Sequence, residues 1–290
     1  MNDSLQSCPA THDSALSARC IIAEPSESNT VRSSGATIIV NADDWGRDAD
    51  TTDRSLDCVL RGAVSSVSAM MFMEDSERAA LLARQHGVDA GLHLNLTTPF
   101  SSPRCPPRLM EHQQKISRFL RSHRLAPVLY LPGLASSFEY VVATQLEEFE
   151  RLLGAPANRV DGHHHMHLCA NVFFQKLLPT NTIVRRNFSF GPGEKSRINR
   201  SCRLWQDRRL ARRHRMTDFF FSLPPLNPRT RLEKILFLAS RFSVEVETHP
   251  VNADEYKFLM DGELTYRTGT VTVARGYCLS SCESTAGVEN

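Results

Sequence analysis

ATIIVNADD (residues 36–44) is the most informative stretch of the sequence, because a continuous β-branched apolar run ends abruptly in two carboxylates. A run that is apolar throughout is typical of a parallel strand that is buried on both faces. Two further strand patterns follow at 64–73 and 89–97, with helical patterns between them. This alternation of strands and helices predicts an α/β fold with a parallel sheet.

The same alternation continues along the chain. A helix is predicted at 75–87, where an Asp-Ser start and an acidic first turn are followed by a glycine stop. Later strands are predicted at NRVDGHHHMH (158–167), TNTIVRRN (180–187), TDFFFSL (217–223) and SVEVETHP (243–250). About seven parallel strands indicate an open or closed barrel, whose chemistry would gather at the carboxyl ends of the strands.

The composition is that of a soluble globular protein, with 41% hydrophobic and 23% charged residues. No apolar run reaches the roughly 18 residues of a membrane span. The eight cysteines form no C-x-x-C pair, which predicts reduced thiols and a cytoplasmic location. Residues 1–35 are rich in small polar residues and lack the apolar stretch of a secretory signal, so a disordered extension is predicted there. A flexible tail is predicted at 276–290.

Polar residues stand where the predicted strands end. Asp43 and Asp44 terminate the first strand, His93 interrupts the third, His163 follows the fourth and His249 closes the last. Because carboxyl ends of parallel strands meet at one edge, we expect these side chains to converge at one mouth of the barrel.

Each of these residues also has an ordinary structural interpretation. Asp44 could cap a helix that begins near Trp45, and Asp43 could be solvated. His93 could be a hydrogen-bonded core residue, and His249 could belong to a loop before a proline. Taken together, however, one carboxylate and two imidazoles form a ligand set that leaves positions open for water or substrate.

That set predicts metal-assisted hydrolysis of an amide or ester. Asp44 would face the metal while Asp43 deprotonates water, since adjacent residues of a strand point in different directions. His249 could protonate the leaving group. In VDGHHHMHLC (160–169), alternate side chains of an extended chain would point to opposite faces, so the four histidines cannot all bind one ion.

The motifs NADDWG, GLHLNLT, DGHHHMH and ETHP, in this order, resemble the YdjC-like carbohydrate deacetylases. The resemblance runs from about residue 37 to about residue 275, so 36–275 is predicted to be a YdjC-like deacetylase domain. It implies a variant (β/α) barrel of the polysaccharide-deacetylase-like type with about seven parallel strands.

The resemblance also implies roles for residues. Asp44, His93 and His163 would be the metal ligands and Asp43 the proton acceptor. His249 matches a late His-Pro motif near the site, and His165 and His167 would support the site or face the substrate. The family implies Mg²⁺, whereas two imidazoles and one carboxylate would favour Zn²⁺ on ligand chemistry alone.

Residues 185–215 are strongly basic, with ten arginines and one lysine against Glu194 and Asp207. The segment could be a solvated helix face. It could instead contact a phosphate-bearing substrate or an acidic lipid surface, which would be a peripheral membrane contact. Nucleic acid is not expected, because no binding motif accompanies the charge. Arg185 and Arg186 end a predicted strand on the site face, so one of them could contact substrate, and Arg186 is the residue predicted to do so.

The sequence thus predicts a metal-dependent hydrolase that acts on C–N bonds of linear amides and removes an N-acetyl group from a carbohydrate or glycolipid. One alternative is a metal-dependent phosphoesterase that acts on an anionic substrate with the same ligands. The other is a non-catalytic sugar-binding module, although binding alone does not need the base Asp43. A homo-oligomer is possible, since the sequence does not specify an oligomeric state.

Overall fold

The computed structural model describes residues 36–191, 193–227, 230–264, 271–277 and 279. The predicted N-terminal extension and most of the predicted C-terminal tail lie outside these residues. Tyr277 is an informative exception, because it is buried and its hydroxyl donates to Glu245 at 2.5 Å. The packed part of the chain therefore extends at least to Tyr277, past the predicted start of the tail at residue 276.

One parallel sheet forms the centre of the part of the chain that the structure describes. Its strands are β1 Ala36–Trp45, β2 Ser66–Ala69, β3 Ala90–Leu94, β4 Arg159–Gly162, β5 Ile183–Val184, β6 Phe219–Ser222, β7 Val244–Thr248 and β8 Val271–Val273. The order is β5-β4-β3-β2-β1-β7-β6, and β8 pairs with the start of β1. The seven-stranded parallel architecture is confirmed, and β8 is a short addition that the sequence pattern did not indicate.

The two edges of the sheet approach each other. Ile183 of β5 forms an isolated parallel bridge with Arg215, four residues before β6 begins. Further along the same edge, the amide of Ser189 donates to the carbonyl of Phe220 in β6 at 2.9 Å. The sheet therefore curls towards closure, as the predicted variant (β/α) barrel requires.

Helices follow most strands and cover the outside of the sheet. They are α1 Ala49–Leu60, α2 Ser76–His86, α3 Pro107–Leu120, α4 Ala135–Leu153, α5 Ala170–Gln175, α6 Arg197–Leu210, α7 Thr230–Ala239 and α8 Ala253–Met260. α2 ends at Gly87 in the left-handed conformation, as its sequence signals predicted. Within the described ranges, no helix combines the length and apolar character that a membrane span requires.

The start of α1 shows that Asp44 is not the N-cap of this helix. The N-cap is Asp48, whose side chain accepts a hydrogen bond from the amide of Thr51 at 2.8 Å. The capping role that Asp44 might have filled is therefore taken by a residue four positions later, and Asp44 is available for the barrel mouth.

The inside of the barrel is unusually polar. Glu245 and Glu247 occupy alternate positions of β7 and so face the same side. Both are buried, as are Arg159 and Asp161 of β4 and Arg185, which directly follows β5. Buried charges of this kind are tolerated only when they are paired and hydrogen-bonded. The interior is therefore a charge network, while the apolar core lies between the sheet and the helices.

Gly91 on β3 makes room for one member of this network. A Cβ atom at position 91 would lie 2.7 Å from Cζ of Arg159. Arg159 cannot move aside easily, because it donates to the carbonyl of Val67 at 3.0 Å and packs on the ring of Tyr277 at 4.5 Å. Glycine at position 91 is therefore required by packing.

We expect Gly91→Ala to lower the free energy of unfolding by about 1–3 kcal/mol, as overpacking of a buried site does. Urea denaturation followed by circular dichroism measures it. Gly133→Ala is the matched control, because a Cβ there meets nothing within 4 Å, and it should change stability by less than about 0.5 kcal/mol. Equal effects of the two substitutions would contradict the packing argument.

Candidate metal centre

A bulge at the end of β1 brings two neighbouring carboxylates to the same pocket. Ala42 pairs with Val67 but Trp45 pairs with Ala69, so β1 holds one extra residue against β2. Asp44 takes up the distortion with a φ of 66°. In a regular strand Asp43 and Asp44 would point to opposite faces. The bulge instead lets both side chains line one pocket while they contact different partners, Arg185 for Asp43 and His163 for Asp44.

Three predicted ligands converge beside this bulge. Oδ1 of Asp44 lies 2.8 Å from Nδ1 of His163 and 3.2 Å from Nε2 of His93. Two ligands bonded at about 2.1 Å to one ion lie about 3.0 Å apart in an octahedral site and about 3.4 Å apart in a tetrahedral one. All three residues are buried, and their ligand atoms lie within 4.8 Å of one another. The spacing therefore fits one divalent cation.

Neighbouring groups hold these ligands in orientation. Nδ1 of His93 contacts Oδ1 of Asp161 at 2.8 Å, which leaves Nε2 for a metal. Arg47 donates to Oδ2 of Asp44 at 2.7 Å, which leaves Oδ1 to bind a metal. Burial alone would lower the pKa of His93, but Asp43, Asp161 and Asp44 raise it to about 10. The concentrated negative charge around His93 favours a cation at this place.

A second group of possible ligands, Asp43, His93 and Asp161, is less suitable. Arg185 donates to both oxygens of Asp43, at 2.7 and 2.8 Å, and lies 2.9 Å from Oδ2 of Asp161. Oδ1 of Asp161 is engaged by His93. Because a guanidinium already occupies these carboxylates, the Asp44 group is the better candidate for a metal.

Asp43 is placed beside the ligands rather than among them. Its Oδ1 also accepts from Nδ2 of Asn41 at 2.8 Å, whereas Oδ2 lies 4.0 Å from Nε2 of His93. Burial would raise the pKa of Asp43, but Arg185 and His93 outweigh it and hold the pKa below its usual value. Asp43 is therefore ionised, and Oδ2 keeps a lone pair with which it can accept a proton.

Comparison with known proteins agrees with this geometry. Residues 37–267 match the family model described as YdjC-like protein. The chain belongs to the YdjC-like family. It is 32% identical over 138 residues to proteins named chitooligosaccharide deacetylase from Yersinia pestis (strain Pestoides F) and Yersinia pseudotuberculosis (serotype O:1b). Each alignment covers 47% of this chain and 52% of the relative, so the chain spans about half the length of the curated relatives it matches.

A solved structure extends the comparison of the fold. The crystal structure of a provisionally named cellobiose-phosphate cleavage protein from Enterococcus faecalis V583 superposes with a TM-score of 0.57 at 18% identity. The superposition covers 83% of this chain and 98% of that one. At this identity the match supports the barrel architecture alone.

In this YdjC-like protein the histidine run is a tight turn, not an extended chain. His164 and His165 adopt left-handed backbone conformations, with φ of 54° and 58°. As a result His163, His164 and His165 all line one pocket, so the predicted alternation of faces is wrong. Of the histidines in this run, His163 is the one that belongs with Asp44 and His93 to the cluster that could hold a metal.

His164 and His165 remain neutral at the pocket wall. Burial and the neighbouring His163 lower the pKa of His164 to about 4, and its Nδ1 contacts Oγ1 of Thr97 at 2.9 Å. Burial and Arg185 lower the pKa of His165 to about 3. Neutral imidazoles can both donate and accept hydrogen bonds.

Two residues that were candidates for substrate contact, His167 and Arg186, are not among the residues that line the pocket. His167 is buried and donates from Nε2 to the carbonyl of Arg185 at 2.9 Å, so it supports the strand that carries Arg185. Arg186 points outward, where it pairs with Asp207 at 3.1 Å and also donates to the carbonyls of Thr217 and Asp218. Adjacent residues of β5 and its extension face opposite sides, and it is Arg185 that enters the barrel.

His249 lies at the same pocket, together with Glu247. The sequence pattern assigned no role to Asp161, Glu245 or Glu247, and it offered Arg185 only as an alternative to Arg186 for contacting substrate, although these four residues other than Arg186 all belong to the network around the site. One signal was available in the sequence, because VEVET places two carboxylates at alternate positions of a strand, each next to a valine. Such a pattern on a buried strand indicates a polar barrel interior.

Proposed function

We propose that this YdjC-like chain is a metal-dependent carbohydrate deacetylase, which removes an N-acetyl group from a sugar or glycolipid. The observation that carries the proposal is the buried Asp44–His93–His163 group beside Asp43, whose carboxylate Arg185 orients. The names of the Yersinia relatives support a chitooligosaccharide-type substrate. Cytoplasmic location and homo-oligomerisation stay predictions.

The ligand set fits a divalent cation. When bound, the cation would polarise the acetyl carbonyl and the attacking water. The resemblance to the family implies Mg²⁺, whereas the two imidazoles favour Zn²⁺. Metal analysis of the purified protein, followed by restoration of activity with each ion after chelation, distinguishes the two.

The residues around the ligands supply the proton transfers. Asp43 accepts a proton from water, and the hydrogen bonds from Arg185 and Asn41 hold its carboxylate in place. His249, which lines the same pocket, donates a proton to the departing amine. The pocket has a volume of about 360 Å³, at the small end of ligand sites, which suits one sugar residue at a time.

Acetate release from N-acetylated chitooligosaccharides and from an N-acetylated glycolipid tests the activity. We expect release that stops with a chelator and returns with a divalent cation. Phosphate release from sugar phosphates without acetate release would favour the phosphoesterase instead. Saturable sugar binding with neither product would favour a binding module.

Metal binding can be tested separately from turnover. We expect His93→Ala to weaken binding of a divalent cation by about tenfold or more, because one of three ligands is lost. Equilibrium dialysis with elemental analysis measures it. His123→Ala is the control, since His123 is exposed and lies outside the pocket. Unchanged affinity in His93→Ala would remove His93 from the ligand set.

A further inference from the structure

Three exposed aromatic side chains form a ridge on the outside of the barrel. The rings of Tyr130 and Phe174 lie 6.3 Å apart, and Phe173 connects Phe174, at 5.1 Å, with Trp205, at 5.7 Å. Tyr130, Phe174 and Trp205 are 43, 56 and 50% exposed. They come from the loop before α4, from α5 and from α6, so the ridge is continuous and not a set of scattered residues.

Aliphatic side chains extend this ridge. Leu125, Val128 and Leu129 are 64, 69 and 48% exposed and precede Tyr130 in the chain. The segment is held firmly, because the side chain of Asn171 in α5 makes two hydrogen bonds of 3.0 Å with the backbone of Leu131. The apolar residues are therefore presented to solvent by a well-anchored backbone.

Cationic side chains border the ridge. Arg208, Arg209, Arg212 and Arg213 lie at the end of α6 and in the turn after it, and the guanidinium of Arg209 is 5.8 Å from the ring of Trp205. As far as the structure describes the chain, none of these four arginines forms an ion pair with a carboxylate, whereas Arg186 nearby is paired with Asp207. Their charges are available to a partner.

A cavity of about 270 Å³ opens beside the ridge. Its lining combines apolar side chains, such as Phe173 and Leu178, with the cations Lys176, Arg209 and Arg212. An apolar lining with basic groups matches a molecule that carries an anionic head and an apolar body. Phe173 and Phe174 of the ridge, and Arg209 at its border, also line the cavity. The cavity and the ridge therefore form one site.

We propose that this aromatic-basic surface docks the protein on a membrane that contains anionic phospholipid. The surface consists of Leu125, Val128, Leu129, Tyr130, Phe174, Trp205, Arg208, Arg209, Arg212 and Arg213. Tryptophan and tyrosine partition to the headgroup level, leucine and valine enter the acyl boundary, and arginines pair with lipid phosphates. The proposal is independent of the proposed deacetylase activity.

The observations favour a lipid surface over the other partners of basic patches. A single nucleic-acid strand stacks its bases on free ring faces, whereas the ring planes of Tyr130 and Phe174 are nearly perpendicular, at 85°. The exposed aliphatic side chains would contribute nothing to stacking. A second copy of the chain would bring four more arginines to the same surface, and like charges would repel.

Intrinsic fluorescence gives a direct test, because the chain has two tryptophans. Trp45 is 1% exposed, so a change on binding reports Trp205. Vesicles of phosphatidylcholine with phosphatidylglycerol should shift the emission to the blue and sediment the protein, and added salt should release it. Vesicles of phosphatidylcholine alone should do neither. Trp205→Phe should lose the shift.

Variants test the charges. We expect Arg208→Gln/Arg212→Gln to weaken partitioning onto anionic vesicles by about 10- to 30-fold, since each basic residue contributes about one kcal/mol at such a surface. Arg61→Gln/Arg241→Gln is the matched control, because both residues are exposed and lie outside the surface. Circular dichroism checks that each variant is folded.

Several results would overturn the proposal. These are no binding to anionic vesicles, equal binding to neutral and anionic vesicles, an equal loss in the control variant, and preferential binding of a single-stranded oligonucleotide. Self-association that Trp205→Ala abolishes, in the absence of vesicle binding, would assign the surface to a second copy of the chain and would also overturn it.

Discussion

Asp43→Asn should lower the rate of acetate release by about 10²–10⁴-fold while the bound metal content stays unchanged. Asparagine preserves the shape of the side chain and can still accept from Arg185 and Asn41, but its amide cannot take a proton from water. The ligand atoms of Asp44, His93 and His163 are not altered. Turnover with an N-acetylated chitooligosaccharide and elemental analysis of the same preparation measure the two quantities.

The design separates the base from the metal site. Asp254→Asn is the matched control, because Asp254 lies exposed in the first turn of α8 and should leave turnover unchanged. If Asp43→Asn retained full activity and remained sensitive to a chelator, the metal site would stand and a different proton acceptor would be required. If it lost metal, Asp43 would act as a ligand and its proposed role would be wrong.

Arg185→Met should lower the free energy of unfolding by about 3–5 kcal/mol, because it leaves several buried carboxylates without their counter-charge. The Arg185 guanidinium lies 2.7 Å from Oε1 of Glu245, 2.7 Å from Oδ2 of Asp43 and 2.9 Å from Oδ2 of Asp161. Coulombic attraction from these carboxylates outweighs burial and keeps the pKa of Arg185 far above its usual value. Urea denaturation measures the loss.

Two further variants make this prediction specific. Arg185→Lys keeps the charge but cannot span three carboxylates with one ammonium group, so it should recover only part of the loss. Arg61→Met removes an exposed arginine and should change stability by less than about 0.5 kcal/mol. A loss below about 1 kcal/mol in Arg185→Met would mean that the carboxylates hold protons instead of depending on Arg185.

Much of the architecture could be predicted because it depends on patterns that local sequence carries. The apolar run before Asp43 and the alternating run around His93 specify strands, and Gly87 ends α2 through its left-handed conformation. Short β8 was missed, since three residues with one buried position leave little pattern. The ligands could be placed at one edge because parallel strands end together.

The site was harder to predict where a side chain's direction depends on an irregular backbone. Regular alternation would separate Asp43 from Asp44 and would split the histidine run between two faces. The bulge in β1 and the left-handed residues His164 and His165 override this alternation. The presence of aspartate or histidine does not by itself predict a left-handed backbone, because both also occur in ordinary strands and loops.

The order of strands and helices, the parallel sheet and the meeting of Asp44, His93 and His163 at its carboxyl edge follow from local sequence patterns. The entry of Arg185 rather than Arg186 into the barrel, and the contact of His167 with the backbone of Arg185, depend on the folded chain. Closure of the sheet sets which face of each strand points inward. Long-range pairing and burial fix that choice, whereas hydrophobic periodicity is a local property of the chain.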